Sequence, residues 1–277
     1  MRRFLAAGFL VTIPAWPQPE PATGAAFEVA SVKLNKSGAK RMGFNYEPGG
    51  LVIENLPLPT ILAIAYDLPL RSDRISGGPA WVREENFDID AKAALPPALP
   101  VKARQAQMRA MLRALLADRF RLKLAEQTKQ LPVYAIAVSK GGAKLKKAAL
   151  EEDDCPRGPT EASSCHILNG GQGRGLHGRA VDLEDVARFL SNWTDRPVID
   201  KTGLTGLFEI STGGWLPMRP NPPRTDGSEP TAEEAAAADP ARPTLGTILG
   251  RLGLRLESQK SAVASYEIER IEKPSGN

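Results

Sequence analysis

The sequence predicts an α+β protein made of two tandem copies of a strand-helix-strand-helix-strand-strand unit, with mainly antiparallel sheets. Segments of period-two alternation recur along the chain, short helical stripes separate them, and the second half repeats the order of the first with recognisable residues. The 277 residues are 42% hydrophobic and 25% charged, which excludes wholesale disorder and a polytopic membrane protein, while 25 glycines and 24 prolines predict many turns and short elements.

Residues 1–26 read as an export signal. Arg2 and Arg3 supply the positive start, and 4–16 is an apolar stretch, broken only by Thr12 and Pro14, that is too short to span a bilayer. The small residues Thr23, Gly24, Ala25 and Ala26 offer a cleavage site before Phe27, and no cysteine follows the apolar stretch to carry a lipid. The mature chain is therefore expected to be periplasmic or extracellular, with no stable membrane insertion.

The first unit spans 27–149. Residues 27–34 and 41–46 alternate, 51–55 is a short apolar strand, and a proline-initiated helix follows over 57–66. Phe87, Asp88, Ile89, Asp90 and Ala91 alternate again. The stretch 105–117 places Met108, Met111, Leu112, Leu115 and Leu116 on one helical stripe. Residues 119–125 and 131–138 predict a hairpin, with 127–130 as its turn.

A connection over 150–178 follows. Cys155 and Cys165 have no C-x-x-C spacing, and a disulfide is their simplest pairing; in an exported protein, closing such a loop contributes roughly 2–3 kcal/mol. His166 beside Cys165 raises a nucleophile or metal pair as a rival, but sequence neighbours point in different directions and lack a third group to orient them. The glycine run from Asn169 to Gly178 has no Lys-Ser/Thr of a phosphate loop, so it reads as a flexible linker.

The second unit, 179–274, repeats the pattern. Helices are expected over 182–192 and 244–252, the latter carrying Leu245, Ile248, Leu249 and Leu252 at i, i+3, i+4 and i+7. Phe208-Glu209-Ile210 parallels Phe87-Asp88-Ile89, the segment from Arg196 parallels that from Asp73, and Tyr266-Glu267-Ile268 parallels Tyr134-Ala135-Ile136. Residues 217–243 have almost nothing to bury after Met218 and read as a mobile insert.

Charge gives no signal for a nucleic-acid partner, and none is expected. Without the signal the chain keeps 34 basic and 31 acidic residues, and its one tight basic cluster, Lys140, Lys144, Lys146 and Lys147, is answered at once by Glu151, Glu152, Asp153 and Asp154. Two histidines and two cysteines are few of the types from which metal sites and triads are built, so no catalytic residue, cofactor or metal is assigned. Candidate binding residues are Trp81, Arg83, Trp193 and Arg196, with Trp215 beside them; core packing is the competing role for the tryptophans.

Several stretches together carry a family resemblance: Ile75-Ser-Gly-Gly-Pro-Ala-Trp81, Phe87-Asp-Ile-Asp-Ala-Lys-Ala93, Leu115-Leu-Ala-Asp-Arg-Phe120, Leu131-Pro-Val-Tyr134, Arg196-Pro-Val-Ile-Asp-Lys-Thr-Gly-Leu-Thr-Gly206 and Leu252-Gly-Leu-Arg-Leu-Glu-Ser-Gln-Lys260. Over 27–274 the chain resembles a soil-associated family of unknown function expanded in Acidobacteria. That resemblance implies an exported protein, whose domain also occurs attached to membrane sensor metallopeptidases of the beta-lactamase-regulator type. It implies no catalytic residues. This chain has no His-Glu-x-x-His, so the peptidase chemistry does not come with it.

The function expected is thus an exported, non-enzymatic binding, interaction or sensory module of the cell envelope, its partner an envelope protein, a cell-wall component or a small molecule. A regulatory domain severed from its sensor would differ in needing a membrane partner. The enzymatic alternative is a secreted hydrolase of polysaccharide or peptide using Asp88 and Asp90. Against it, acids at i and i+2 of one strand share a face instead of opposing each other across a bond.

Overall fold

The structure, a computed structural model, describes residues 26–38, 41–47, 49–70, 72–96, 99–155, 165–218 and 239–274. The segment read as an export signal, apart from Ala26, and most of the expected insert over 217–243 lie outside the described residues. The described residues form three four-stranded sheets and five α-helices, an α+β fold in which most strand pairs are antiparallel.

The first sheet contains β1 (Val29–Leu34), β2 (Gly43–Glu47), β3 (Gly50–Pro57) and β5 (Asn86–Lys92), in the order β1-β5-β3-β2. Alternation sorts its faces: Val32, Leu51, Ile53, Phe87, Ile89 and Ala91 are buried, while Asp88 and Asp90 lie on the other side. Helix α1 (Leu58–Ala65) starts directly after Pro57, whose fixed φ suits a helix start, and nearly all its residues are buried. Between α1 and β5 come β4 (Ile75–Gly77) and the single turn α2 (Trp81–Glu84). Helix α3 (Val101–Arg119) buries the expected stripe of Met108, Met111, Leu112, Leu115 and Leu116 against the same core. Each such side chain contributes about 1.5–3 kcal/mol by leaving water.

The third sheet contains β7 (Lys146–Lys147), β8 (Asn169–Gly171), β9 (Gly175–Val181) and β11 (Phe208–Ser211), in the order β7-β11-β9-β8. This is the order of the first sheet with every number raised by six. Helices α4 (Leu183–Ser191) and α5 (Leu245–Arg251) pack on its core with Leu176, Val181, Ile210 and the fully buried Trp215. Both begin at side-chain caps. Asp182 accepts from the Asp185 N–H at 2.8 Å while Asp185 accepts from the Asp182 N–H at 3.2 Å, and Thr244 Oγ1 accepts from the Thr247 N–H at 3.2 Å.

The second sheet joins the two cores. Its middle is a long antiparallel pair, β6 (Lys123–Val138) with β12 (Leu254–Arg270), flanked by short parallel edge strands: β10 (Val198–Asp200) on β6 and β4 on β12. Tyr134 faces Val198, and Tyr266 faces Ile75. One end of the ribbon brings Ile268 into the first core; the other brings Ile136 and Leu254 into the second.

Two sequence expectations are corrected. The hairpin over 119–138 does not form: Gln127, Thr128, Lys129 and Gln130 are paired with Ser265, Ala264, Val263 and Ala262 inside one continuous strand. None of those four is glycine, asparagine, aspartate or proline, so nothing favours a reversal once a 17-residue partner strand is available. The glycine run is not a flexible linker either, because Gly175–Val181 and Asn169–Gly171 pair as strands of the third sheet. Gly175 has φ +95°, and a Cβ there would stand 2.1 Å from the Thr212 carbonyl oxygen, so glycine lets two backbones approach.

Candidate functional site

Where α4 and β10 meet the loop after α1 there is a cleft of about 490 Å³ lined by Asp67, Pro69 and Arg74, by Glu184, Ala187, Arg188 and Ser191 of α4, by Pro197, Val198, Ile199 and Asp200, and by Val263 of the central ribbon. Asp67, Pro69 and Arg74 come from the first half of the chain and the remainder from the second. Ser191 is not a free nucleophile. Its hydroxyl donates to the Ala187 carbonyl at 2.9 Å and accepts from the Val198 N–H at 2.8 Å, which fixes β10 against α4.

Behind the cleft runs a chain of charges. Arg109 of α3 lies 3.5 Å from Asp67, and Asp67 is 3.7 Å from Arg188 Nε. Arg188 Nη2 reaches Asp185 at 3.4 Å, Asp185 Oδ2 is 2.7 Å from His166 Nδ1, and His166 Nε2 is 3.1 Å from Glu152. The His166 side chain is 1% exposed and that of Asp185 3%, whereas Glu152 is 57% exposed. Burial pulls the imidazole pKa down, but the hydrogen bonds and charges of Asp185 and Glu152 outweigh it and hold the pKa above the ordinary histidine value. In the imidazolium form both ring N–H groups donate to carboxylates.

A second link crosses between the halves at the start of α4, where Lys102 donates to Asp182 and lies 3.4 Å from Glu184. Burial lowers the Lys102 ammonium pKa, yet Asp182 and its acidic neighbours raise it overall; burial raises the Asp182 carboxyl, yet Lys102 and the Asp185 N–H lower it overall.

Cys155 and Cys165 form the disulfide expected from the sequence, and Cys165 sits directly before His166 in a small core with Ala180 and Leu207. Among the described residues, two groups of side chains have metal-ligand proximity: Glu152 with Cys155 and His166, and His166 with Asp182 and Asp185. The sulfur of Cys155 is held in the disulfide, both His166 nitrogens face carboxylates, and Asp182 holds Lys102, so protein groups already serve these atoms. His166 has φ +58°, uncommon for a side-chain residue, and its backbone N–H donates to Ala180 at 2.8 Å.

The candidate binding residues do not converge. Trp81 packs on the first core, against Phe87 and Phe120 at ring-centroid distances of 6.2 and 6.5 Å, with Lys273 over its ring. Arg83 donates to the Gly77 carbonyl at 3.1 Å. Trp193 packs on the other core, and a Cβ on Gly171 would press its ring at 2.9 Å. Arg196 spans Asp195 at 3.3 Å, Ser258 at 2.9 Å and the face of Tyr134. Asp88 accepts from Asn35 Nδ2 at 2.8 Å and from the Asn55 N–H at 2.8 Å, and Asp90 is 3.4 Å from Lys92. Sequence reasoning missed the cleft. Its signal was the pair of parallel segments starting at Asp73 and Arg196, since Arg74 and the run from Pro197 to Asp200 both line it.

Fold and site together define a two-cored α+β protein with an amphipathic cleft where its halves meet. No helix among the described residues is long and apolar enough to cross a membrane. The chain belongs to the family described as protein of unknown function (DUF3738), whose family model matches residues 59–271. A comparison with curated proteins and one with solved structures each found no match.

Proposed function

We propose that this chain is an exported, non-enzymatic binding module of the cell envelope, that its two halves are tandem copies of one unit, and that it holds a small ligand in the cleft between them. The observation that carries the reading is the lining of the cleft: Arg74 before β4, and Pro197 with the following strand β10, are corresponding segments of the two halves, brought to one concave surface. The matching strand orders of the first and third sheets, and the mutual exchange of β4 and β10 across the central ribbon, support the duplication. The disulfide and the amino-terminal sequence support export. The hydrolase alternative rests on Asp88 and Asp90, whose carboxylates hold Asn35, Asn55 and Lys92.

The test is retention of small molecules from defined mixtures of carboxylic acids, amino acids, amines and sugars by the purified oxidised chain, read by mass spectrometry against Ile199→Trp, which fills the cleft from a half-buried position. Retention lost in the variant supports the cleft as the site; retention that the variant leaves unchanged, or none from any mixture, removes it. Protein recovered outside the cytoplasm with an amino terminus near Phe27 supports export, and recovery of intact chain from the cytoplasm alone opposes it.

A further inference from the structure

The cleft contains a guanidinium, that of Arg74, for which no ion pair with a carboxylate is seen among the described residues. Arg74 donates from Nη1 to the Ala264 carbonyl at 3.2 Å and from Nε to Ser72 Oγ at 3.4 Å, and both acceptors are neutral. Arg188, the other guanidinium in the lining, stands between Asp67 at 3.7 Å and Asp185 at 3.4 Å. Half-burial pushes the Arg74 pKa down by removing part of its hydration, against the weaker opposing influence of Tyr266 and Asp73. An anion donated by a ligand would replace that hydration, and the planar guanidinium fork fits a carboxylate.

The remaining lining narrows the ligand. Pro69, Ala187, Pro197, Val198 and Val263 make an apolar wall, and Val263 adjoins the Ala264 carbonyl that Arg74 holds. Asp67, Glu184 and Asp200 share the same cleft, so a doubly charged phosphate or sulfate meets about twice the repulsion of a single carboxylate. Resting on the binding reading above, we infer that the cleft takes a small aliphatic monocarboxylic acid, with its carboxylate on Arg74 and its hydrocarbon body along Val198 and Val263. The acid can be free or can be the carboxy-terminal end of a short peptide.

The experiment is calorimetric titration of the oxidised chain with N-acetyl-leucine, N-acetyl-leucinamide, inorganic phosphate and a tripeptide ending in leucine. N-acetyl-leucine is expected to bind, with the amide and phosphate each at least tenfold weaker. Arg74→Gln, which keeps a donor for the Ala264 carbonyl, is expected to lose at least tenfold for the acid at an unchanged melting temperature, and Arg74→Lys to lose less. Tighter binding of the tripeptide identifies a peptide terminus as the source, and tighter binding of N-acetyl-leucine identifies a free acid. Equal binding of acid and amide overturns the inference without needing any variant, as does absence of acid binding at millimolar concentration. Should acid and amide bind equally and both be lost in Ile199→Trp, the carboxylate assignment fails while the cleft survives; binding untouched by Ile199→Trp removes both.

Discussion

His166→Asn should lower the unfolding free energy by about 3 kcal/mol at pH 6. Removing one partner of a buried charged pair costs roughly 3–5 kcal/mol. Asp185 keeps Arg188 at 3.4 Å and the Asp182 N–H at 3.2 Å, which places the loss at the lower end. Glu152 is 57% exposed, so its contact adds only about 0–1 kcal/mol. Asparagine is chosen because it tolerates the φ of +58° at this position, which separates loss of the imidazole from backbone strain. At about 2–4 °C per kcal/mol for a chain of this size, the melting temperature falls by roughly 6–12 °C.

The pH dependence supplies a second readout of the same substitution. The folded imidazole pKa is raised by Asp185 and Glu152 above the unfolded value near 6.5. Its stabilisation is fully present below the unfolded pKa and is lost as pH rises through the folded one. The charged groups around it are Asp182, Asp185 and Arg188 on or beside α4, Glu152 on the preceding turn, and Lys102 from α3 through Asp182. Asp182, lowered by Lys102 and the Asp185 N–H, acts in the opposite sense, losing its contribution only as pH falls through its folded pKa in the acid range. Urea unfolding from pH 5.5 to 9.5 should show a decline in the native chain that His166→Asn abolishes. A loss below 1 kcal/mol at pH 6, or the same decline in the variant, would refute the reasoning.

Three further outcomes are expected. Replacing Cys155 and Cys165 with serine, or reducing them, should cost about 2–3 kcal/mol by freeing a loop of sequence separation 10, measured as the shift in denaturation midpoint with and without reductant. Gly175→Ala should destabilise by more than about 2 kcal/mol, because both its φ and the carbonyl 2.1 Å from the new Cβ oppose it; a melting temperature equal to the native one would contradict this. Trp215→Ala should cost roughly 3–5 kcal/mol, since the ring is fully buried, whereas Trp215→Phe should cost clearly less, since the indole N–H has no hydrogen-bond partner among the described residues; parallel thermal melts compare the two.

Local patterns were readable wherever one residue type had one physical use. The stripe from Met108 to Leu116, the spacing of Leu245, Ile248, Leu249 and Leu252 and the Phe87 alternation all led to elements seen in the structure, because spacing alone decides which face can be buried. Long-range pairing was less accessible. Nothing within 123–138 announces a partner more than a hundred residues away, so local spacing by itself predicts a hairpin. Glycine in the run from Asn169 signals permissive backbone, and whether that freedom serves a linker or a close strand approach depends on Thr212, which is remote in sequence. At the site, tryptophan and arginine drew attention to Trp81 and Trp193, which serve separate cores. His166 was noticed beside Cys165, but its orienting groups, Glu152 and Asp185, are supplied only by folding.

The central ribbon also sets the order in which the chain can become a protein. Its ladders join Tyr134 to Val198, Val138 to Leu254 and Ile75 to Tyr266, so each closes only after a long intervening stretch has been made. The edge strand contributed by each half completes a sheet on a long strand from the other half, and an amino-terminal fragment leaves β4 with nothing to pair against. Sequence separations of this kind slow folding and prolong exposure of unpaired edges. A polypeptide that emerges gradually during synthesis would therefore remain an unfinished structure until the strand Leu254–Arg270 arrives, and its assembly waits on that strand.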